Sequence, residues 1–359
     1  MNLLDLTKSE LEQLCIENGQ PKFRAIQLTK WVHNKGVKDF AKMTDIQGSF
    51  RDYLSCKLNV YIPEIIQSTK SADGSEKCLF KLKSGEVVES VVIPEGDRIT
   101  ACVSSQVGCA VDCSFCATGH QGFSRNLSLG EMVGQVWAMN YLSNVGRISN
   151  VVLMGMGEPL LNYTNLTEFL KFLLMDEAYG LSRRKVTVST SGIVPFIDKL
   201  RIDCPVSLAV SLHAANNELR NKLVPINREY PLEQLMRACR DYQDSAPKKF
   251  ITFEVVLLDG INDSLNDALA ISHLIRDHSI NAKFNLIPYN AFSGGLFKKP
   301  AYEKIKGFQM KLQESGYLTT VRKTRGDDVE GACGQLSGIV NNRIVRVGSR
   351  KKTENAGLF

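Results

Sequence analysis

From residue 101 onward, short apolar and β-branched runs alternate with segments of helical period, and this alternation limits the fold more than any other feature of the chain. The runs fall at 101–105, 150–155, 185–190, 205–212, 250–258 and 283–289. Helical stretches follow nearly every one. Ser128-Leu-Gly-Glu131 caps the first, 163–176 is the second, and 231–242 and 264–278 come later. Six such repeats predict an α/β fold, with a parallel sheet curled into a full or partial TIM-like (β/α)6 barrel.

Before the barrel the pattern differs. Thr7-Lys-Ser-Glu10 forms a capping box, Leu11, Leu14 and Cys15 make an apolar stripe, and Gly19 is a plausible stop. Pro21 suits the start of a second helix carrying Ala25, Leu28, Trp31 and Val32. From about residue 61 strands take over, and 78–83 and 87–93 flank a Ser84-Gly85-Glu86 turn, a predicted hairpin. The expected units are therefore a helical N-terminal domain at 1–60, a β-hairpin extension at 61–98, a barrel core at 99–325, and a C-terminal loop and tail at 326–359. Within the hairpin Glu89 alternates onto one face with Val87, Val91 and Ile93. Either burial raises its pKa toward that of a general base, or the strand is an edge whose odd face is partly wet.

The chain has 359 residues, a formal charge of +6 and ten cysteines. That charge permits a nucleic-acid partner without requiring one. Cysteine usage without a secretory signal predicts a reducing compartment, since Met1-Asn-Leu-Leu-Asp-Leu lacks a basic leader. No apolar run approaches the ~20 residues that span a bilayer. The expectation is a cytoplasmic protein with no membrane association.

Three of the cysteines, Cys109, Cys113 and Cys116, stand in C-x3-C-x2-C spacing directly after the first barrel strand. A cubane cluster normally takes four thiolates. Three leave one iron open, and the amino and carboxylate groups of S-adenosylmethionine can fill it, so one 4Fe-4S cluster with that cofactor is the expected pair. A zinc site wants four ligands and has no second Cys pair here, although His120 could complete a set.

In a barrel of this kind the active site lies at the C-terminal strand ends. Met154-Gly-Met-Gly157-Glu158-Pro159 follows the second strand, Ser189-Thr-Ser191-Gly192 ends the third, Ser211-Leu212-His213 the fourth, and Pro288-Tyr-Asn290 the sixth. Gly155 and Gly157 let backbone approach a ligand, and Glu158 could take the cofactor's ammonium. Ser189, Ser211 and Asn290 could bond its carboxylate, ribose or adenine, and each alone is more often a loop or cap residue. His213 at a strand end is more often a satisfied structural group. Cys102 lies inside the first strand, and Cys333 on a polar Gly-rich loop could be either a nucleophile or a packing residue.

The run from Cys102 to Asn126, Gly157-Glu158-Pro-Leu-Leu-Asn162, Ser211-Leu-His213, and Arg325-Gly-Asp-Asp-Val-Glu-Gly-Ala-Cys333-Gly-Gln335 together resemble radical S-adenosylmethionine RNA methyltransferases that act on carbon 2 of adenine. Pro21 to Gln27 with Trp31 also match. The resemblance spans essentially the full length and implies a radical-SAM barrel. It implies that Cys109, Cys113 and Cys116 ligate the cluster. Gly157, Glu158, Ser189, Ser211, Leu212, His213 and Asn290 would hold S-adenosylmethionine, of which two molecules are used per turnover. Cys333 would be methylated on sulfur and would carry the methyl group to the base. Cys102 would release the product through a transient disulfide with Cys333, and Glu89 would accept the proton.

The implied partners are 23S ribosomal RNA, transfer RNA and an external electron donor such as a flavodoxin or ferredoxin, with the protein a monomer. Lys22, Arg24, Lys30, Lys298, Lys299, Arg322, Lys323, Arg325 and the basic run Arg350-Lys351-Lys352 are compatible with phosphate contact. Two other readings compete: an adenine carbon-8 methyltransferase of the same superfamily, and a zinc-bearing RNA-binding protein without catalysis.

Overall fold

The computed structural model describes residues 1–143, 145–323 and 325–338. The basic run at Arg350, Lys351 and Lys352 and most of the expected C-terminal unit lie outside the described residues.

Twelve strands are present among the described residues: β1 (Glu64–Lys70), β2 (Glu76–Lys81), β3 (Val87–Glu95), β4 (Arg98–Cys102), β5 (Gln106–Gly108), β6 (Phe123–Asn126), β7 (Asn150–Leu153), β8 (Val186–Thr190), β9 (Ser207–Ser211), β10 (Ile251–Leu257), β11 (Ala282–Pro288) and β12 (Leu318–Val321). Ten of them form one sheet in the order β1-β2-β3-β4-β7-β8-β9-β10-β11-β12, and β5 and β6 pair separately. From β4 to β12 every neighbour is parallel. The β1–β4 pairings are antiparallel. The result is the expected partial α/β barrel, left open because β1 and β12 are the two edges. A seventh parallel strand, β12, joins the six expected ones, and the hairpin is continuous with the barrel sheet through β3 and β4.

Eleven α-helices accompany the strands among the described residues. Three, α1 (Lys8–Glu17), α2 (Phe23–Thr29) and α3 (Gly48–Lys57), build the N-terminal segment. The barrel then adds α4 (Ala117–Gln121), α5 (Leu129–Tyr141), α6 (Tyr163–Leu174), α7 (Val194–Asp203), α8 (Asn217–Leu223), α9 (Leu232–Gln243), α10 (Leu265–Asp277) and α11 (Tyr302–Glu314). The capping boxes read at Thr7 and Ser128 both form.

The N-terminal segment docks on α5. Asp5 Oδ1 accepts from Ser128 Oγ at 2.6 Å and from Gly130 N at 2.8 Å, placing a carboxylate at the positive end of that helix. Gly130 is required there, because a Cβ would lie 2.6 Å from Asp5 Oδ1. Further along α5, Trp137 Nε1 donates to Val32 O at 2.8 Å and the Tyr141 hydroxyl to Asn34 O at 2.6 Å. Leu3, Leu4, Leu28 and Val32 share one continuous apolar core with the barrel helices. The N-terminal segment thereby holds α5 near both of its ends.

Candidate active site

At the C-terminal ends of the parallel strands lies a cavity of about 150 Å³. Cys109, Cys113, Cys116, Gly157, Glu158, Ser189, Ser211, His213, Asn290 and Cys333 all line it. Parallel strands bring these residues together, since each strand delivers its last residues to the same end.

The cysteine loop is held by backbone. Cys109 N donates to Gly122 O at 2.9 Å, Ser114 N to Leu223 O at 3.1 Å and Cys116 N to Cys113 O at 3.2 Å. Burial first, then neighbouring Cys116, pushes the Cys109 thiol up to about 12, and Cys113 is raised well above the ordinary range by burial, Cys109 and Cys116. These thiols need a positive partner to ionise, which iron supplies on binding. Among the described residues no three such side chains converge as ligands of a single ion. A four-iron cluster instead takes one thiolate at each of separate irons, so three thiols on one cavity wall fit it.

Both glycines line the cavity, and they also allow a close contact within the chain. A Cβ on Gly155 would meet Ser104 Oγ at 2.7 Å, and one on Gly157, whose φ is +97°, would meet Gln106 Cβ at 2.4 Å. They let the loop lie against the chain that leads from β4 into β5. Gln106 Oε1 then accepts from Glu158 N at 2.9 Å. Glu158 is buried, and burial raises its pKa. Oε2 accepts from Ser191 N at 2.7 Å and Ser191 Oγ at 2.6 Å, and Oε1 from Leu160 N at 3.1 Å.

His213 is both structural and on the cavity wall. Its Nδ1 accepts from Val256 N at 3.0 Å, its carbonyl accepts from Asn262 Nδ2 at 2.8 Å, and its ring meets Phe115 edge-on at 4.6 Å. Burial and Arg220 hold it neutral, with a pKa of about 3. Leu212 is fully buried and its side chain does not line the cavity.

Arg220 organises this corner, and the sequence reading missed it. Its buried guanidinium donates to Leu212 O at 3.0 Å, Ser191 O at 2.7 Å, Ser211 O at 2.9 Å and Asn227 Oδ1 at 2.7 Å. The ends of β8 and β9 are tied together by one side chain. Burial pulls its pKa down to about 10.

Cys333 comes to the cavity on a loop laid over α4. Ala117 N donates to Gly334 O at 2.8 Å and Thr118 Oγ1 to Leu336 O at 2.7 Å, while Gln121 Nε2 bonds Gly338 O. Asn290 Nδ2 donates to Cys333 O at 3.1 Å. Glu89 holds the same loop from the other side: it is buried, does not line the cavity, and accepts at Oε2 from Ser337 N at 3.1 Å. Burial raises its pKa against the opposing charge of Lys77, 3.7 Å away. Cys102 lies buried behind the cavity wall, its thiol raised by burial and then by Cys333. All ten cysteines are free thiols.

Arg322, one of the basic residues compatible with phosphate contact, is partly exposed at the end of β12 and stands beside Glu254, Nη1 to Oε1 being 3.9 Å. Burial opposes its charge, and Cys333, Glu254 and Cys102 more than restore it. Arg325 is likewise engaged within the chain, with Asp73 at 4.0 Å and Glu95 at 3.8 Å. Glu254 was readable as a carboxylate in an apolar strand, the same signal that marked Glu89.

Residues 1–60 match the family described as ribosomal RNA large subunit methyltransferase N-terminal domain, and residues 103–270 match the radical SAM superfamily. The crystal structure of a radical SAM methyltransferase from Sphaerobacter thermophilus is similar at 42% identity with a TM-score of 0.87, covering 94% of this chain and 99% of that one. SuiB from Streptococcus suis, bound to S-adenosylmethionine, is a more distant likeness at 12% identity and a TM-score of 0.43, covering 62% and 47%. With a 42% identical relative across nearly its full length and both domain matches in order, the chain belongs to the radical S-adenosylmethionine methyltransferases.

Proposed function

We propose that this methyltransferase acts on carbon 2 of an adenine in RNA, with 23S ribosomal RNA and some transfer RNAs as substrates. One arrangement carries the reading: Cys333 shares the cavity with Cys109, Cys113 and Cys116, and Cys102 lies behind the same wall. Carbon 2 of adenine is electron-poor and cannot attack a sulfonium directly. A carbon radical generated on a methyl group held covalently by a protein sulfur next to the ring would avoid that polarity problem and gain from proximity.

Cys109, Cys113 and Cys116 would hold a 4Fe-4S cluster. Gly157, Glu158, Ser189, Ser211, Leu212, His213 and Asn290 would hold S-adenosylmethionine, two molecules being used per turnover. Bound together, the two cofactors supply radical chemistry. Cys333 takes a methyl group on sulfur and delivers it to the base. Glu89, raised by burial, accepts the proton lost from carbon 2. Cys102 then attacks the Cys333 sulfur: the S–S bond forms as the sulfur–carbon bond to the base breaks, and the released carbon takes up a proton to become the methyl group. The disulfide returns to two thiols by taking up two electrons and two protons, the electrons coming in single steps from an external donor of the flavodoxin or ferredoxin type.

Anaerobic incubation of the iron-loaded protein with S-adenosylmethionine, a reductant and either RNA, followed by mass spectrometry of nucleosides, tests this. The expected product is 2-methyladenosine. Detection of 8-methyladenosine in its place, or of no methylated adenine, overturns the proposal.

A further inference from the structure

Glu254 stands on β10, in register with Ser211 of β9 and Asn285 of β11, and is only 5% exposed. Its Oε2 takes a long bond from Ser189 Oγ at 3.4 Å, and its Oε1 has no hydrogen-bond partner among the described residues. Arg322 Nη1, 3.9 Å away, is beyond hydrogen-bond reach. The Arg322 backbone is pinned by its N–H to Leu286 O at 2.8 Å, while its guanidinium makes no hydrogen bond to a described residue. A buried carboxylate oxygen left unpaired is costly. Here one such acceptor stands beside a partly exposed guanidinium whose charge also bears on Cys333, and Glu254 and Cys333 line the same cavity.

We infer that Glu254 and Arg322 together read the Watson–Crick edge of the adenine to be methylated. Adenine presents an amine donor at N6 and an acceptor at N1, side by side. The Glu254 oxygen accepts from N6 and the guanidinium donates to N1. Carbon 2 is bonded to N1, so this seating turns it toward the Arg322 side, and Arg322 is the cation whose charge bears most on Cys333. Guanine carries the reverse pattern, an acceptor at O6 and a donor at N1, and would set like against like. Single-stranded or extruded bases are commonly read on this edge. The Glu254 oxygen is shielded from solvent.

The inference rests on the adenine reading of the proposed function, and the test separates the two. The full, iron-loaded protein is assayed with one RNA carrying adenine at the target position and another carrying purine, which lacks only the N6 amine. Wild type should lose roughly 10- to 150-fold in kcat/KM on purine. Glu254→Ala should lose a similar factor on adenine and no longer distinguish the two RNAs. Glu254→Gln, which keeps an acceptor oxygen, should recover much of the discrimination. Affinity of Glu254→Ala for S-adenosylmethionine is measured in parallel.

Equal turnover of adenine and purine by wild type would overturn the inference while leaving carbon-2 methylation standing. So would a fall in cofactor affinity matching the loss of turnover, because the pair would then serve the cofactor. Absence of 2-methyladenosine from the wild-type reaction would sink the proposed function itself.

Discussion

Thr118 Oγ1 donates a 2.7 Å hydrogen bond to the carbonyl oxygen of Leu336. The two residues are 218 positions apart, yet this bond ties the helix that follows the cluster cysteines to the loop that carries Cys333. Both groups are buried, so neither can exchange its partner for water without the loop lifting.

Thr118→Val therefore leaves the Leu336 carbonyl unpaired at a cost of about 1–3 kcal/mol. The expected result is faster amide hydrogen exchange across residues 331–337, with the barrel strands unchanged. Unaltered exchange in that loop would show that the tie carries no load.

Replacing Arg220 has a wider effect. Arg220→Met strands the carbonyls of Ser191 and Ser211, each worth about 1–3 kcal/mol when buried and unsatisfied, and leaves Leu212 O only its bond from Ala214 N. The urea midpoint should fall sharply, and Arg220→Lys should not restore it, because an ammonium cannot span the same fork. A midpoint within error of wild type would contradict the role assigned to this side chain.

Gly157→Ala puts a Cβ into Gln106 at a backbone angle that L residues avoid. The loop must shift, and Glu158 with it. Affinity for S-adenosylmethionine is expected to fall on the order of 5- to 150-fold, measured by equilibrium binding to the iron-loaded protein. Undiminished affinity would mean that the loop tolerates the shift.

Acid stability follows from two histidines. Burial holds both His33 and His213 near a pKa of about 3, against 6.5 when free. The unfolded chain therefore binds more protons than the folded one between those values. Stability is full above about pH 6.5 and is lost as pH falls toward 3. His33→Leu should flatten the slope of unfolding free energy against pH across that window. An unchanged slope would mean that His33 does not contribute.

The parts of the molecule legible in sequence are those with a period or a fixed spacing. Three thiols at ligand spacing, six apolar strands and two capping boxes each carry their signal within a few adjacent residues. β12 has only four residues, Leu-Thr-Thr-Val, with Leu318 exposed, and β1 is largely polar and exposed, so neither offers an apolar run to read. Arg220 resembles any basic residue on a short helix until the carbonyls of β8 and β9 are placed around it. The same holds for Arg322, whose place beside Glu254 is visible only once the parallel sheet is assembled. Gly155 and Gly157 were recognisable as points of close approach, but only the fold identifies the approaching group as Ser104 and Gln106.

The central claim is that Cys333 bonds to the base and Cys102 frees it. Cys102→Ala, incubated with labelled RNA, S-adenosylmethionine and reductant, should accumulate a covalent RNA–protein adduct on a denaturing gel. Changing Cys333 to Ala in the same background should abolish it. Release of free methylated RNA by Cys102→Ala, with no adduct, would contradict the account.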